Sequence, residues 1–184
     1  MPKRYLLLLA PGSIALVIAV AALAAGPVHR TQAFFAVDRQ WEKHWPFERG
    51  RFAMRQMQGR FEPMVPVWFQ VEPKIRMHLD PEDLVSQMIL ATGAWEPENW
   101  RLVQEHIPSG GTFVDIGAHI GYYSLKAAVA VGPAGKVIAV EPNPETVPKL
   151  RENLKASQAN QVVVEPVRGE DADGVAVDRE QFVQ

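Results

Sequence analysis

The 184 residues predict an α/β fold built around a parallel, nucleotide-binding sheet, and three observations predict it. Residues 113–116 form a short apolar run that stops at Gly117, with the carboxylate of Asp115 near its C-terminal end. Residues 136–140 form a second run that stops in the same way, at Glu141. Residues 122–131, between them, are alanine-rich, as a helix packed closely on a sheet requires. Two parallel strands joined by a helix, each presenting an acid at its C-terminal end, describe half of a nucleotide-binding sheet.

Ahead of this unit, residues 5–25 carry no charged side chain. At ~1.5 Å rise per residue such a run is long enough for the ~30 Å core of a bilayer. Pro11 and Gly12, awkward in a soluble helix, are tolerated in a membrane one. Residues 1–28 are therefore read as a single-pass membrane anchor in contact with lipid. A cleaved signal peptide is the alternative, because Lys3 and Arg4 precede the run and Ala22-Leu-Ala24 resembles a cleavage site; a buried soluble helix is a third. The bias of Arg30, Arg39 and Lys43 after the run places the large domain on the cytoplasmic side.

Residues 29–64 mix arginines with Phe34, Phe35, Trp41, Trp45, Phe47, Phe52 and Phe61. Residues 1–60 carry a net charge of +6 and residues 61–184 one of −8, so a basic front end precedes an acidic body. Two readings of the aromatic segment stand side by side: an interfacial stretch on anionic lipid, or a helical arm packed on its own domain. No nucleic-acid-binding motif accompanies the basic residues, so no nucleic-acid partner is expected. The absence of cysteine excludes disulfides and thiolate metal sites, and the histidines show no metal-ligand spacing.

Residues 65–109 lead into the core. Residues 65–71 and 74–79 read as a hairpin, and Asp80-Pro81 as the N-cap and first position of a helix that Gly93 ends. A second helix runs from about 95 to 106, with Trp100, Val103 and Ile107 on one face, and Pro108-Ser-Gly-Gly111 is a loop into the key strand. Residues 110–184 form the last domain. Gly132-Pro-Ala-Gly135 breaks its first helix, and Asn143-Pro144 resembles the start of the next, which Pro148 delays by a turn. Val147, Leu150 and Leu154 form the apolar stripe of that helix, and residues 161–165 a third strand.

Gly117 and Gly121 let backbone approach a ligand closely, and Glu141 can accept both hydroxyls of a ribose. Asp115 can bind an amine or brace the glycine turn. A dinucleotide site requires a central glycine in the turn to admit a pyrophosphate, and His119 stands there instead. Asp115-Ile-Gly-Ala-His-Ile-Gly-Tyr-Tyr-Ser-Leu125, then Glu141-Pro-Asn-Pro144, Leu150-Arg-Glu-Asn-Leu154 and the upstream Gly93-Ala-Trp-Glu96, resemble the FkbM family of S-adenosylmethionine-dependent methyltransferases. The resemblance covers roughly residues 90–167. It implies a Rossmann-like class I methyltransferase fold with Asp115, Gly117, Ala118, His119 and Gly121 around the methionine part of S-adenosyl-L-methionine and Glu141 on its ribose. His119 and Asn143 would line the same pocket, and Glu96 would either reach the cofactor or cap its helix. The reaction implied is O-methyl transfer to a small-molecule, sugar or lipid hydroxyl.

The family's sheet has seven strands and this sequence supplies about three. The acidic strand that stands beside the substrate in that family is not found, so no catalytic base is assigned. The expectation is a fragment, or a half-sheet completed by a partner chain, with an open edge and marginal stability. The competing expectation is a non-catalytic membrane-associated interaction module that keeps the half-domain.

Overall fold

A computed structural model describes residues 26–44 and 64–166, and these fall into two compact units. The expected membrane span and the acidic tail lie outside the described residues. Among those described, no helix is long and apolar enough to cross a membrane.

The first unit holds α1 (Pro27–His44), most of a two-stranded hairpin of β1 (Val67–Glu72) and β2 (Ile75–Leu79), and α2 (Leu84–Thr92). The buried face of α1 consists of Ala33, Phe34, Phe35 and Val37, with the two phenylalanine rings edge to face at 5.1 Å. Thr31 is fully buried, and its hydroxyl both donates to the Pro27 carbonyl and accepts from the amide of Val65 at 3.0 Å. Arg39 donates to the Leu90 carbonyl of α2 and lies over the Phe69 ring. Of the two readings of the early aromatic segment, the packed arm therefore holds for Phe34 and Phe35. The aromatics from Trp41 to Phe61 are outside the described side chains.

The expected start of α2 at Asp80 is corrected. The Asp80 carboxylate accepts from the amide of Glu82, closing a local turn, and the helix begins three residues later. Asp83 is the N-cap and accepts from the amide of Ser86 at 2.8 Å. Two aspartates of equal capping ability compete here, and the nearer one wins because Asp80 is engaged in its own turn. Gly93 ends the helix as expected, left-handed at φ 89°.

The second unit comprises the hairpin tip, residues 72–77, and everything described from Glu96 onward. It contains α3 (Pro97–Gln104), β3 (Thr112–Ile116), α4 (Tyr122–Val131), β4 (Lys136–Val140), α5 (Val147–Ala156) and β5 (Val162–Glu165). The sheet is parallel with order β3-β4-β5, and Asp115 stands opposite Ala139, which stands opposite Val164. The core lies on one face of it. Trp100 of α3 and Ala127, Ala128 and Val131 of α4 pack on Val137, with Phe113 and Val162 beside them. The alanines serve the purpose anticipated, since small side chains bring helix and sheet close. Lys126, on the same helix, reaches the Glu72 carboxylate at 2.5 Å and lies over the rings of Trp100 and Tyr122.

The other face alternates with the first and is partly open, Ile138 at its centre being 5% exposed. Val114, Ile116 and Val163 are 42%, 83% and 42% exposed. Parallel sheets are normally covered on both faces, so this is an unusual amount of exposed aliphatic surface.

Candidate functional site: the carboxyl ends of β3 and β4

β3 and β4 run side by side and both stop at the same level, Ile116 opposite Val140. The backbone after β3 does not continue the ladder. The amides of Gly117 and Ala118 both donate to the Val140 carbonyl, at 2.8 and 3.0 Å, which turns the chain sharply across the end of β4. Gly117 achieves the turn at φ 80° and Gly121 starts α4 at φ 91°. His119 is also left-handed, at φ 50°. A β-carbon on Gly121 would lie 2.6 Å from Leu150 Cδ1, so glycine is needed there for conformation and for space.

Glu141, 6% exposed, closes the site from the second strand. One carboxylate oxygen accepts from the backbone amide of His119 at 2.7 Å and the other from the amide of Asn143 at 2.8 Å. An ionised carboxylate offers about four acceptor positions, so two fixed amides orient the group and leave capacity for a pair of neighbouring hydroxyls. Asp115 is half-buried on the first strand and accepts a 2.6 Å hydrogen bond from the hydroxyl of Ser124. Burial pushes its carboxyl above the ordinary range. The hydrogen bonds from Ser124 pull it back down, and the negative charge of Glu141 adds to the rise.

The predicted residues are thus partly brought together. Asp115, Gly117, Ala118, His119, Gly121, Glu141 and Asn143 share one end of the sheet, His119 and Asn143 through their backbone amides. The Asn143 side chain accepts from the amide of Glu145 and organises the turn into α5, so it acts locally. Glu96, left-handed at φ 44°, makes no side-chain cap of its own helix. Its carboxylate accepts from Asn99 and from the hydroxyl of Tyr123, each at 3.2 Å, which ties α3 to the first turn of α4. Burial and the Glu96 carboxylate together push the Tyr123 hydroxyl up to about 12.

Two supporting residues were not anticipated. Asn153 is fully buried on α5 and its side-chain amide donates to the Ile120 carbonyl at 2.9 Å, bracing the glycine turn from behind. Ser124 is fully buried on α4. The available signal for Asn153 was a polar residue adjoining the apolar stripe of Leu150 and Leu154. For Ser124 it was a small hydroxyl in the first turn of the helix that follows the strand.

The chemistry of this donor set fits a cationic nucleoside. Neither 112–125 nor 137–147 contains a lysine or arginine, while each carries a carboxylate at its strand end. A pyrophosphate needs a glycine at the centre of the turn for close backbone approach, and His119 stands there, whereas an ammonium and a ribose are recognised by acids. Fold and site together define an S-adenosylmethionine-binding α/β domain of the methyltransferase class. Residues 75–182 match the model of the TRM5/TYW2 methyltransferase domain, and the chain belongs to that family. Its cofactor is S-adenosylmethionine. The coarser expectation from sequence, a methyltransferase domain using this cofactor, holds; the narrower placement in the FkbM family does not follow from the match.

Among curated proteins, the chain is 37% identical over 60 residues to protein-L-isoaspartate O-methyltransferase 1 of Arabidopsis thaliana, covering 33% of this chain and 26% of the relative. It is 42% identical over 53 residues to the arsenite methyltransferase of Halobacterium salinarum, covering 29% of this chain and 14% of that one. The matched regions thus span about a quarter of the first relative's length and about a seventh of the second's. Among solved structures, the chain is similar to TYW2 of M. jannaschii in complex with AdoMet, at a TM-score of 0.44 and 23% identity, over 59% of this chain and 46% of that one.

Proposed function

We propose that this protein acts in S-adenosylmethionine-dependent methyl transfer, with the cofactor held at the carboxyl ends of β3 and β4. The observation that carries the reading is Glu141, a buried carboxylate fixed by two backbone amides at the carboxyl end of β4, the position from which sheets of this kind recognise a ribose. S-adenosylmethionine, when bound, supplies an activated methyl group. The chain's own residues bind and orient: Glu141 takes the ribose hydroxyls, Asp115 takes the amino group of the methionine part, and the glycine turn admits the ligand to the backbone. Because the methyl group is already activated, the protein's contribution is mainly positioning.

The acceptor we propose is a hydroxyl of a small molecule, sugar or lipid, by an O-methyl transfer in line with the departing sulfur. The support is the sequence resemblance, not the family match. The relatives named above act, by their names, on acceptors as different as protein isoaspartate and arsenite, so this half of the site does not by itself select an acceptor. We further propose that residues 5–25 anchor the protein in the membrane with the domain on the cytoplasmic side, where the cofactor is made, and that a partner chain completes the sheet. A reporter fused at Gln184 that is active only outside the membrane would overturn the topology.

Isothermal titration of the full-length protein with S-adenosylhomocysteine tests the cofactor site. Wild-type protein is expected to bind, and Glu141→Ala to bind at least about tenfold more weakly, as loss of a buried charged acceptor implies. The open face of the sheet favours one second reading, a non-catalytic interaction module. An absence of wild-type binding at millimolar ligand would leave that reading alone.

A further inference from the structure

We infer that Ser124 is a positioning residue for the cofactor site: its buried hydroxyl fixes one oxygen of Asp115 so that the other oxygen of the ionised carboxylate is presented to the amino group of the bound cofactor. The inference rests on the cofactor reading above and assigns a role to a residue that the reading does not use.

Ser124 is completely buried, at 0% exposure, so water does not compete for its hydroxyl. A serine in a helix has a ready alternative, donating back to a carbonyl of the preceding turn. Here the hydroxyl crosses from α4 to β3 and donates to Asp115 Oδ2 at 2.6 Å. That is the length of a charge-assisted O–H···O⁻ bond. The backbone of Ser124 contributes to the same carboxylate. One residue in the first turn of the helix thus grips the acid at the end of the strand.

The grip has two consequences. It sets the rotation of the carboxylate, since Asp115 Oδ2 is held on the helix side. It also favours the ionised form, opposing the burial and the neighbouring Glu141 charge that raise the proton affinity of the group. An ammonium is bound by a carboxylate and not by a carboxylic acid, so both consequences act on the same ligand group.

Full-length wild type, Ser124→Ala and Ser124→Cys are titrated calorimetrically with S-adenosylhomocysteine from pH 5 to pH 8. Cysteine keeps the volume but is a weak donor, so it carries the test if the alanine variant does not fold. Both variants are expected to bind about tenfold more weakly at neutral pH. Their loss of affinity toward acid is expected to begin at a higher pH than in wild type, because Asp115 is easier to protonate without the hydroxyl. Ser124→Thr, which retains the donor, is expected to restore the wild-type pH profile. In an Asp115→Ala background, Ser124→Cys is expected to cost nothing further. Wild-type affinity and an unmoved acid limb in Ser124→Cys, or additive losses in the double variant, would overturn the inference while leaving the cofactor reading intact. A wild type that binds no S-adenosylhomocysteine overturns both.

Discussion

Asp115 and Glu141 are both acids at strand ends, yet they are held differently. Glu141 is satisfied on both oxygens by backbone amides, whereas Asp115 has Ser124 and a raised proton affinity. A carboxyl whose folded value is raised favours the fold while protonated, below its ordinary value near ~3.9, and that contribution is lost as pH rises through the folded value. In the ligand-free protein, therefore, ionised Asp115 works against stability at neutral pH. Asp115→Asn, which can still accept from Ser124, is expected to raise the apparent melting temperature at pH 7 and to make a smaller difference at pH 4. The same variant is expected to lose S-adenosylhomocysteine affinity. A fall in melting temperature at pH 7 would show that the carboxylate is stabilising in place.

The elements around the glycine turn hold it from two sides. β4 accepts the turn's amides through the Val140 carbonyl, and α5 presses Leu150 against Gly121 while Asn153 takes the Ile120 carbonyl. Gly121→Ala meets Leu150 at 2.6 Å and a backbone at φ 91°, so it is expected to destabilise the protein by about 2 kcal/mol in chemical denaturation. Asn153→Leu removes the donor and leaves the Ile120 carbonyl without it. A loss of about 1–3 kcal/mol is expected, together with weaker S-adenosylhomocysteine binding because the turn is no longer braced. Unchanged binding in a folded Asn153→Leu protein would separate α5 from the site.

At the level of the whole described molecule, the dominant feature is a three-stranded parallel sheet packed on one face and partly exposed on the other. Val114 and Val163 lie on the same open face, opposite each other across Ile138 of the central strand. Such a surface favours association. The protein is expected to self-associate with rising concentration in sedimentation velocity, and a Val114→Lys, Val163→Lys pair to shift it toward monomer. A wild type that stays monomeric throughout would mean that the face is covered in solution.

Much of this was legible along the chain, because it depends on neighbours in sequence. The bounds of α4 and β4 were read correctly from composition and breakers, since Gly121, Gly132 and Gly135 punctuate them. The acids and glycines of the site were legible for the same reason: the turn that needs Gly117 and Gly121 is local. Where two local signals competed, as with Asp80 and Asp83, the choice depended on which turn closed first, and sequence alone did not rank them. The remainder was decided by the tertiary structure. Ser124 meeting Asp115, Asn153 meeting Ile120 and Tyr123 meeting Glu96 join residues that only the packing of helices on the sheet brings within hydrogen-bond reach. Chain-local chemistry determined what kind of site this is; which oxygen of each acid is held, and by what, was set by contacts across elements that no periodicity encodes.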